Sequence, residues 1–443
     1  AVYLEIVSGN RGKKIVRCSK CGANNTFEQQ DMSFDKSYQP WLKAYSRADE
    51  SKIFTVMEIN DPRVYSSKKA RAIVIPPESN VDKNSVTYKL SCNSVFLKSY
   101  KEETRPLRQK KLLQTAANDY RCSVDDIKNA LENIENEAND LRAFTSVDMV
   151  TDEYKALMAA EDFKEGSDFI TEHKTATWES FLEDSSLDGE LEKLGALFSN
   201  IVAVNRLRVI EVFKGFSRRA SDFESDEADE IIVPPDITGE LDWLPAIELF
   251  GEGIFFTLDE SVIEKWESEN QLRLRASEIA SRYEESSIAT FDNLPALSSR
   301  FILLHTLAHL FIRELEVSGG YPAASLSERI YCSQSESMAG ILIYTAVPDI
   351  AGSLGGIVEA CEPGNFLKLI DGVFKHAQWC SLDPVCTEHE GQGPSWLNRA
   401  ACHSCALIPE TSCAYGNVFL DRVFIKGSES IPSLVDTVVN KNG

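Results

Sequence analysis

The sequence predicts an α+β, multidomain protein. Three observations carry that reading: short β-branched runs crowd residues 1–97, apolar residues recur at helical spacing between 98 and 200, and strand, helix and cysteine patterns mix in the last third. At 443 residues the chain is long enough for two to four domains. The expected divisions are a strand-rich N-terminal region at 1–97, a helical middle at 98–200, a mixed strand and helix region at 201–295, a mixed α/β C-terminal domain at 296–427 and a tail at 428–443.

In the first region Val2–Val7, Ile15–Arg17, Ile53–Val56 and Ala72–Ile75 are short apolar runs, several ended by Gly, Asn or Pro, which reads as strand and turn. From Lys98 to Lys111, six cations (Lys98, Lys101, Arg105, Arg108, Lys110, Lys111) face two anions, Glu102 and Glu103. A solvated face explains that tract more simply than base stacking, because Tyr100 is its one aromatic. Ser123 with Asp126 forms a capping signature, and Ile127, Leu131, Ile134, Ala138 and Leu141 then repeat at helical spacing. Asp222–Asp242 holds nine carboxylates and two prolines, the composition of a loop. Strand character returns at Trp243–Phe256, and a helix is expected over Ser261–Tyr283 with Val262, Trp266 and Ile279 packing inward. Further on, a helix spans about Leu297–Glu316 and stops at Gly319-Gly320. Gly340–Tyr344 reads as a buried strand, and Phe366–Trp379 as a helix that leads into a group of cysteines.

Charge and cysteine usage narrow the function classes. With 46 Lys+Arg against 69 Asp+Glu, the net charge of −23 repels phosphate at long range and disfavours nonspecific duplex binding by the free chain. The 11 cysteines are an odd number in a long chain with apolar residues to spare, which predicts a reduced, cytoplasmic protein rather than a disulfide scaffold. No signal-peptide pattern is visible, and the most apolar run, Phe301–Ile312, is well short of the ~20 residues that cross a bilayer. No membrane association is expected.

Five cysteines, Cys380, Cys386, Cys402, Cys405 and Cys413, fall within 34 residues. Four thiolates make the closed tetrahedral site that structural Zn²⁺ prefers. The favoured set is Cys386, Cys402, Cys405 and Cys413, because Pro384 and the Gly391/Gly393 loop mark a turn around Cys386; Cys380 is the spare that could replace one of them. Cys18-Ser-Lys-Cys21-Gly22 is a second knuckle, with Cys92 as one possible partner.

Catalytic signals are weaker. His305 and His309 stand four apart on one helix face, but Thr306 occupies the place where a zinc protease needs its Glu. A nuclease or hydrolase using a metal there, with a carboxylate such as Asp349, is the enzymatic alternative. Asp226-Glu-Ala-Asp229 spells a helicase tetrapeptide in a charged, apolar-poor stretch, and the sequence contains no GxxxxGK[ST] phosphate loop. Gly352–Gly356 has the composition of a common turn. The expectation is a chain that is not an enzyme and does not hydrolyse ATP.

A longer series of motifs carries a resemblance. The segments HTLAHL (305–310), GY-P (320–322), LSERIY (326–331), GILIY (340–344), GSLGG (352–356), DPVC (383–386), ACHSCALIPETSCAYGN (401–417) and LDR (420–422) are similar in kind and order to the MrfA-type zinc-binding domain of helicases and helicase-associated proteins. Upstream, RCSKCG (17–22), RVYSSKKARAIVIPP (63–77), RLRVIEVFKGFSRR (206–219) and WLPAIELFGEGIFF (243–256) resemble the DrmB family, companion subunits of DISARM antiphage defence. The resemblance implies a non-catalytic partner of a Swi/Snf-like helicase, DrmA, that engages DNA through the complex; an accessory subunit of a different helicase-based system is the nearest alternative. The basic tract and Arg399 are then the candidate contacts with DNA or partner.

Overall fold

The computed structural model describes residues 4–8, 14–18, 24–26, 32–33, 53–54, 66–76, 85–91, 93–141, 146–159, 167–184, 186–219, 230–236, 243–286, 291, 294–345 and 356–438. They fall into two compact units, one drawn from Ala1–Ser66 and Ser217–Ile232, the other from Ser67–Phe216 and Val233–Gly443. In the first unit β1 (Leu4–Ser8), β2 (Lys14–Cys18) and β3 (Asn24–Thr26) form an antiparallel sheet in that order, with Ile6 opposite Val16. Two short strands, β4 (Met32–Ser33) and β5 (Ile53–Phe54), pair antiparallel. Ile15–Arg17 lies in β2, and Val2–Val7 and Ile53–Val56 are strand over their described residues; of the run Ala72–Ile75 only the first two residues end a strand, β6, that begins at Ser66.

The second unit begins with β6 (Ser66–Ile73) and then turns helical. Helices α1 (Val86–Ser91), α2 (Ser94–Glu102), α3 (Pro106–Tyr120) and α4 (Val124–Leu141) follow. Leu90, Leu113, Ala116, Ala117, Ile127 and Ala130 form a small core of their own there, with Leu131 and Ile134 packed against it. Residues 86–97, expected in the strand-rich region, are therefore mostly helix. Their apolar residues Val86, Leu90, Phe96 and Leu97 serve the helical core instead. The Ser123/Asp126 capping box is formed as expected: Ser123 Oγ accepts from Asp126 N–H at 3.1 Å and the Asp126 carboxylate accepts from Ser123 N–H at 2.9 Å.

Beyond α5 (Ser146–Met158) the chain enters the main sheet with β7 (Ile170–His173). Helices α6 (Thr175–Asp184) and α7 (Gly189–Ala196) precede β8 (Phe198–Arg219), whose 22 residues form the longest strand described. Then come β9 (Glu230–Val233), β10 (Ala246–Leu258), α8 (Glu260–Glu267), α9 (Asn270–Glu284), α10 (Ser299–Gly319), β11 (Leu326–Ser333) and β12 (Met338–Thr345). Strand order is β11-β12-β10-β8-β6, with β7 and β9 also paired to β8. Alternation along β8 sends Ile201 and Ala203 to one face and Val202 and Val204 to the other, and both sets are buried. The first face packs on α10 and the second on α5, through Tyr154 and Leu157. The single helix expected over Ser261–Tyr283 is two. Asp259 caps the first by accepting from Val262 N–H at 3.1 Å, and the polar Ser268-Glu269 pair ends it.

Helix α10 is the centre of the unit. Every residue from Ser299 to Ile312 is buried, because the sheet covers one side and α12 (Pro363–Gln378) and α14 (Val423–Lys426) pack on others. It ends where expected, with Gly320 in the left-handed conformation at φ 71° accepting the reversal that other residues resist. The remaining helices, α11 (Gly356–Glu359) and α13 (Val385–Glu388), are single turns.

Candidate metal centres

Helix α12 delivers Cys380, α13 carries Cys386, and a tight turn presents Cys402 and Cys405. The four sulfur atoms lie within 4.8 Å of one another. Separations are 3.5 Å for Cys380–Cys402, 3.7 Å for Cys402–Cys405 and 3.9 Å for Cys386–Cys405. A Zn–S bond of ~2.3 Å implies a tetrahedral edge of about 3.8 Å, so the spacing fits a closed Cys₄ site. Backbone N–H groups of Leu382 and Cys402 point at Cys380 and Cys405 sulfur, at 3.4 and 3.3 Å. Such donors favour thiolate over thiol.

Arg422 organises this cluster from behind and was not singled out in the sequence. Fully buried, its guanidinium donates to Ala377 and Ala400 carbonyls at 2.9 and 3.2 Å, to both Asp383 oxygens at 3.1 and 3.3 Å, and to Cys386 sulfur at 3.7 Å. Asp383 in turn accepts from Cys380 N–H at 2.8 Å. Hydrogen bonds from the Cys405 thiol, Gln392 and Arg422 outweigh burial and hold the Cys386 thiol below its ordinary range. The ion pair thus ties Cys380 to Cys386 and sets a positive charge beside four sulfurs. Its place at the end of the LDR segment (420–422) was the available signal, and that gave no sign of its contacts.

Cys413 does not join the cluster, and Cys380 takes the place expected for it. The reason is local: the Asp383 turn folds Cys380 back onto Cys402, whereas the chain after Cys405 runs toward α10 and sets Cys413 sulfur 3.3 Å from His305 Nε2. There a second group assembles from His305, His309, Glu328 and Cys413, with donor atoms all within 4.8 Å of one another; the first three residues are fully buried and Cys413 is half-buried. The histidines lie one turn apart on α10. Glu328 stands between Leu326 and Ile330 on the inward face of β11, at 3.1 Å from His305 Nε2 and 3.6 Å from His309 Nε2. Burial opposes ionisation, yet the two imidazoles hold the Glu328 carboxyl well below the carboxylate range. Burial and the Glu328 charge push the Cys413 thiol up, so a thiolate there needs a cation close by. A lone Glu in an otherwise apolar alternation (Leu326, Glu328, Ile330) was the sequence signal for this partner; the expected carboxylate, Asp349, lies outside the described residues.

Other expected sites divide. Cys18 ends β2, while Cys21 and Cys92 lie outside the described residues. Lys98, Lys101, Arg105, Arg108, Lys110 and Lys111 are all exposed on α2, α3 and the link between them. Arg399 is not a free contact: it is only 14% exposed and pairs with Glu278 at 2.6 Å. The helicase-like tetrapeptide at 226–229 falls outside the described residues. Cysteines 122, 332 and 361 and the five C-terminal ones are free thiols. Among the described residues no helix is long and apolar enough to cross a membrane.

Residues 307–406 match the family described as the MrfA Zn-binding domain, a span that contains His309, Glu328 and all four cysteines of the first cluster. Over 326 residues the chain is 33% identical to the DISARM protein DrmB of Bacillus paralicheniformis (strain ATCC 9945a / NCIMB 11709 / CD-2). The similarity covers 63% of this chain and 57% of that relative. His305 and Cys413 flank the matched Zn-binding region on either side.

Proposed function

We propose that this chain is the zinc-binding, non-catalytic accessory subunit of a DISARM-type antiphage system, docked to a separate Swi/Snf-like helicase (DrmA) and engaging DNA through that complex in the cytoplasm. The observation that carries the reading is the Cys₄ tetrahedron inside the Zn-binding match of a DrmB-like chain. Zn²⁺ held by Cys380, Cys386, Cys402 and Cys405 would be structural. The local core consists of those cysteines with Ala401, Ala406 and Leu420, and three of the four thiols are buried, so little apolar surface would hold it together without the metal. Four protein ligands leave no vacancy for a reacting water. ATP chemistry would come from the helicase, since the sequence has no phosphate loop. Trp379, Leu382, Val385 and Trp396 are exposed around the cluster, and the cations of α2 and α3 are exposed elsewhere; these are the surfaces to test for partner and DNA.

The test is co-purification with a DrmA-type helicase, together with ATP turnover by the chain alone. The expected result is a stable complex and no turnover, with Cys405→Ser losing the zinc of the Cys₄ site and helicase retention. Enzyme-like ATP hydrolysis by the isolated chain, or a Cys405→Ser chain that keeps an all-sulfur zinc site and its partner, would overturn the reading.

A further inference from the structure

We propose that His305, His309, Glu328 and Cys413 form a second, closed metal site that takes Zn²⁺, so that the chain carries two zinc ions. Three observations stand independently of the Cys₄ cluster. The first is spacing. Bonds of about 2.0–2.3 Å to nitrogen, oxygen and sulfur imply donor separations near 3.3–3.7 Å in a tetrahedron. Those observed are 3.1 Å (His305 Nε2 to Glu328 Oε1), 3.3 Å (His305 Nε2 to Cys413 Sγ) and 3.6 Å (His309 Nε2 to Glu328 Oε2).

The second observation is where protons go. His309 Nδ1 lies 2.9 Å from the Ala406 carbonyl, so it carries the hydrogen and turns the Nε2 lone pair inward. That Nε2 and the facing Glu328 Oε2 are buried without a hydrogen-bond partner. Two acceptors that face each other in a dry interior are costly unless a cation lies between them. His305 Nε2 faces two acceptors at once and can give a proton to one of them only.

The third is the setting of the sulfur. Tyr415 and Asn417 N–H groups both donate to Cys413 Sγ, at 3.3 and 3.2 Å, and Ala414 N–H donates to Glu328 Oε1 at 3.2 Å. This is the pattern of a thiolate in a metal knuckle, with a carboxylate oriented beside it. A buried thiolate and carboxylate together call for two positive charges, which one divalent ion supplies. Two imidazoles, one carboxylate and one thiolate are a borderline donor set that suits zinc better than magnesium or calcium.

Four protein donors leave no vacancy for water, and His305, His309 and Glu328 are fully buried with Cys413 packed against the core, which makes the site closed and structural rather than hydrolytic. Its place explains its use. It joins α10, β11 and the segment after Cys405, and because Ala406 receives His309, the stretch from Cys402 to Cys413 is anchored at both ends.

The experiment is zinc quantification of the purified full chain, with zinc-edge X-ray absorption on the same sample. Two zinc ions per chain are expected, with a shell mixing sulfur with nitrogen and oxygen. His309→Ala and Cys413→Ser should each halve the content and leave an all-sulfur shell, whereas Cys405→Ser should leave the nitrogen-rich one. One zinc with only sulfur ligands in the wild-type chain overturns this proposal and leaves the Cys₄ site standing. One zinc with a nitrogen-rich shell does the reverse. The wild-type measurement decides even where a variant fails to fold.

Discussion

Arg422 sets the price of disturbing the zinc-binding region at the scale of single residues. Its guanidinium serves two carbonyls, a carboxylate and a sulfur at once, a fan of contacts that a point charge cannot reproduce. Arg422→Met strands Asp383 and should cost about 3–5 kcal/mol in a reversible denaturation experiment, the range for breaking a buried pair. Arg422→Lys should recover little of that, and both variants should release zinc faster to a chelator. The same fan was not legible in the sequence, where Arg422 is one cation after an apolar run. Cys380 and Cys413 teach a related lesson. Both are cysteines at plausible spacing, and only the path of the chain after Asp383 and after Cys405 separates the one that meets three thiols from the one that meets two imidazoles.

Elements behaved as local physics requires where the signal was local. The α4 capping box formed as its residues predict, and Ser123→Ala should cost about 1 kcal/mol, seen as faster amide exchange in the first turn of α4. Hydrogen bonds from the Ser123 side chain and backbone hold the Asp126 carboxyl below its ordinary value of 3.8. A depressed carboxyl stabilises above its unfolded pKa, so this support should be intact at neutral pH and fade as pH falls through the lowered value. In the sheet, Gly253 lies where a Cβ would stand 2.6 Å from the Ile343 carbonyl of the neighbouring strand. Gly253→Ala should therefore cost about 1–3 kcal/mol by forcing β10 and β12 apart, read as a lower Tm. Phe311, packed on Phe256 and Phe366 inside α10, should cost about 3–5 kcal/mol on replacement by Ala.

For the whole molecule, the net charge of −23 bears on association rather than fold. The free chain should bind duplex DNA weakly, with little gain at low salt, while a complex with the helicase proposed above should bind more tightly and with a steeper salt dependence. Equal affinities for chain and complex across a salt series would count against engagement of DNA through the partner. The exposed cations of α2 and α3 are a basic tract in an acidic chain, and reversing Lys110 and Lys111 to Glu should weaken the proposed complex on DNA without altering its zinc.

The sequence by itself determined the α+β class, the strands β1, β2 and β5, the limits of α4 and α10, and the presence of a metal-binding cysteine cluster. Each of these rests on neighbours within a few residues: alternation, a cap, a glycine stop, a two-residue gap between thiols. Tertiary structure decided which four cysteines share a site, that residues 86–97 pack as helix, that one long helix is two, and that His305 and His309 face Glu328 and Cys413. Those outcomes depend on contacts between residues tens of positions apart, such as the 108 residues that separate His305 from Cys413. Spacing along a chain names the donors; the packing of β11 and the chain after Cys405 against α10 brings them to one point.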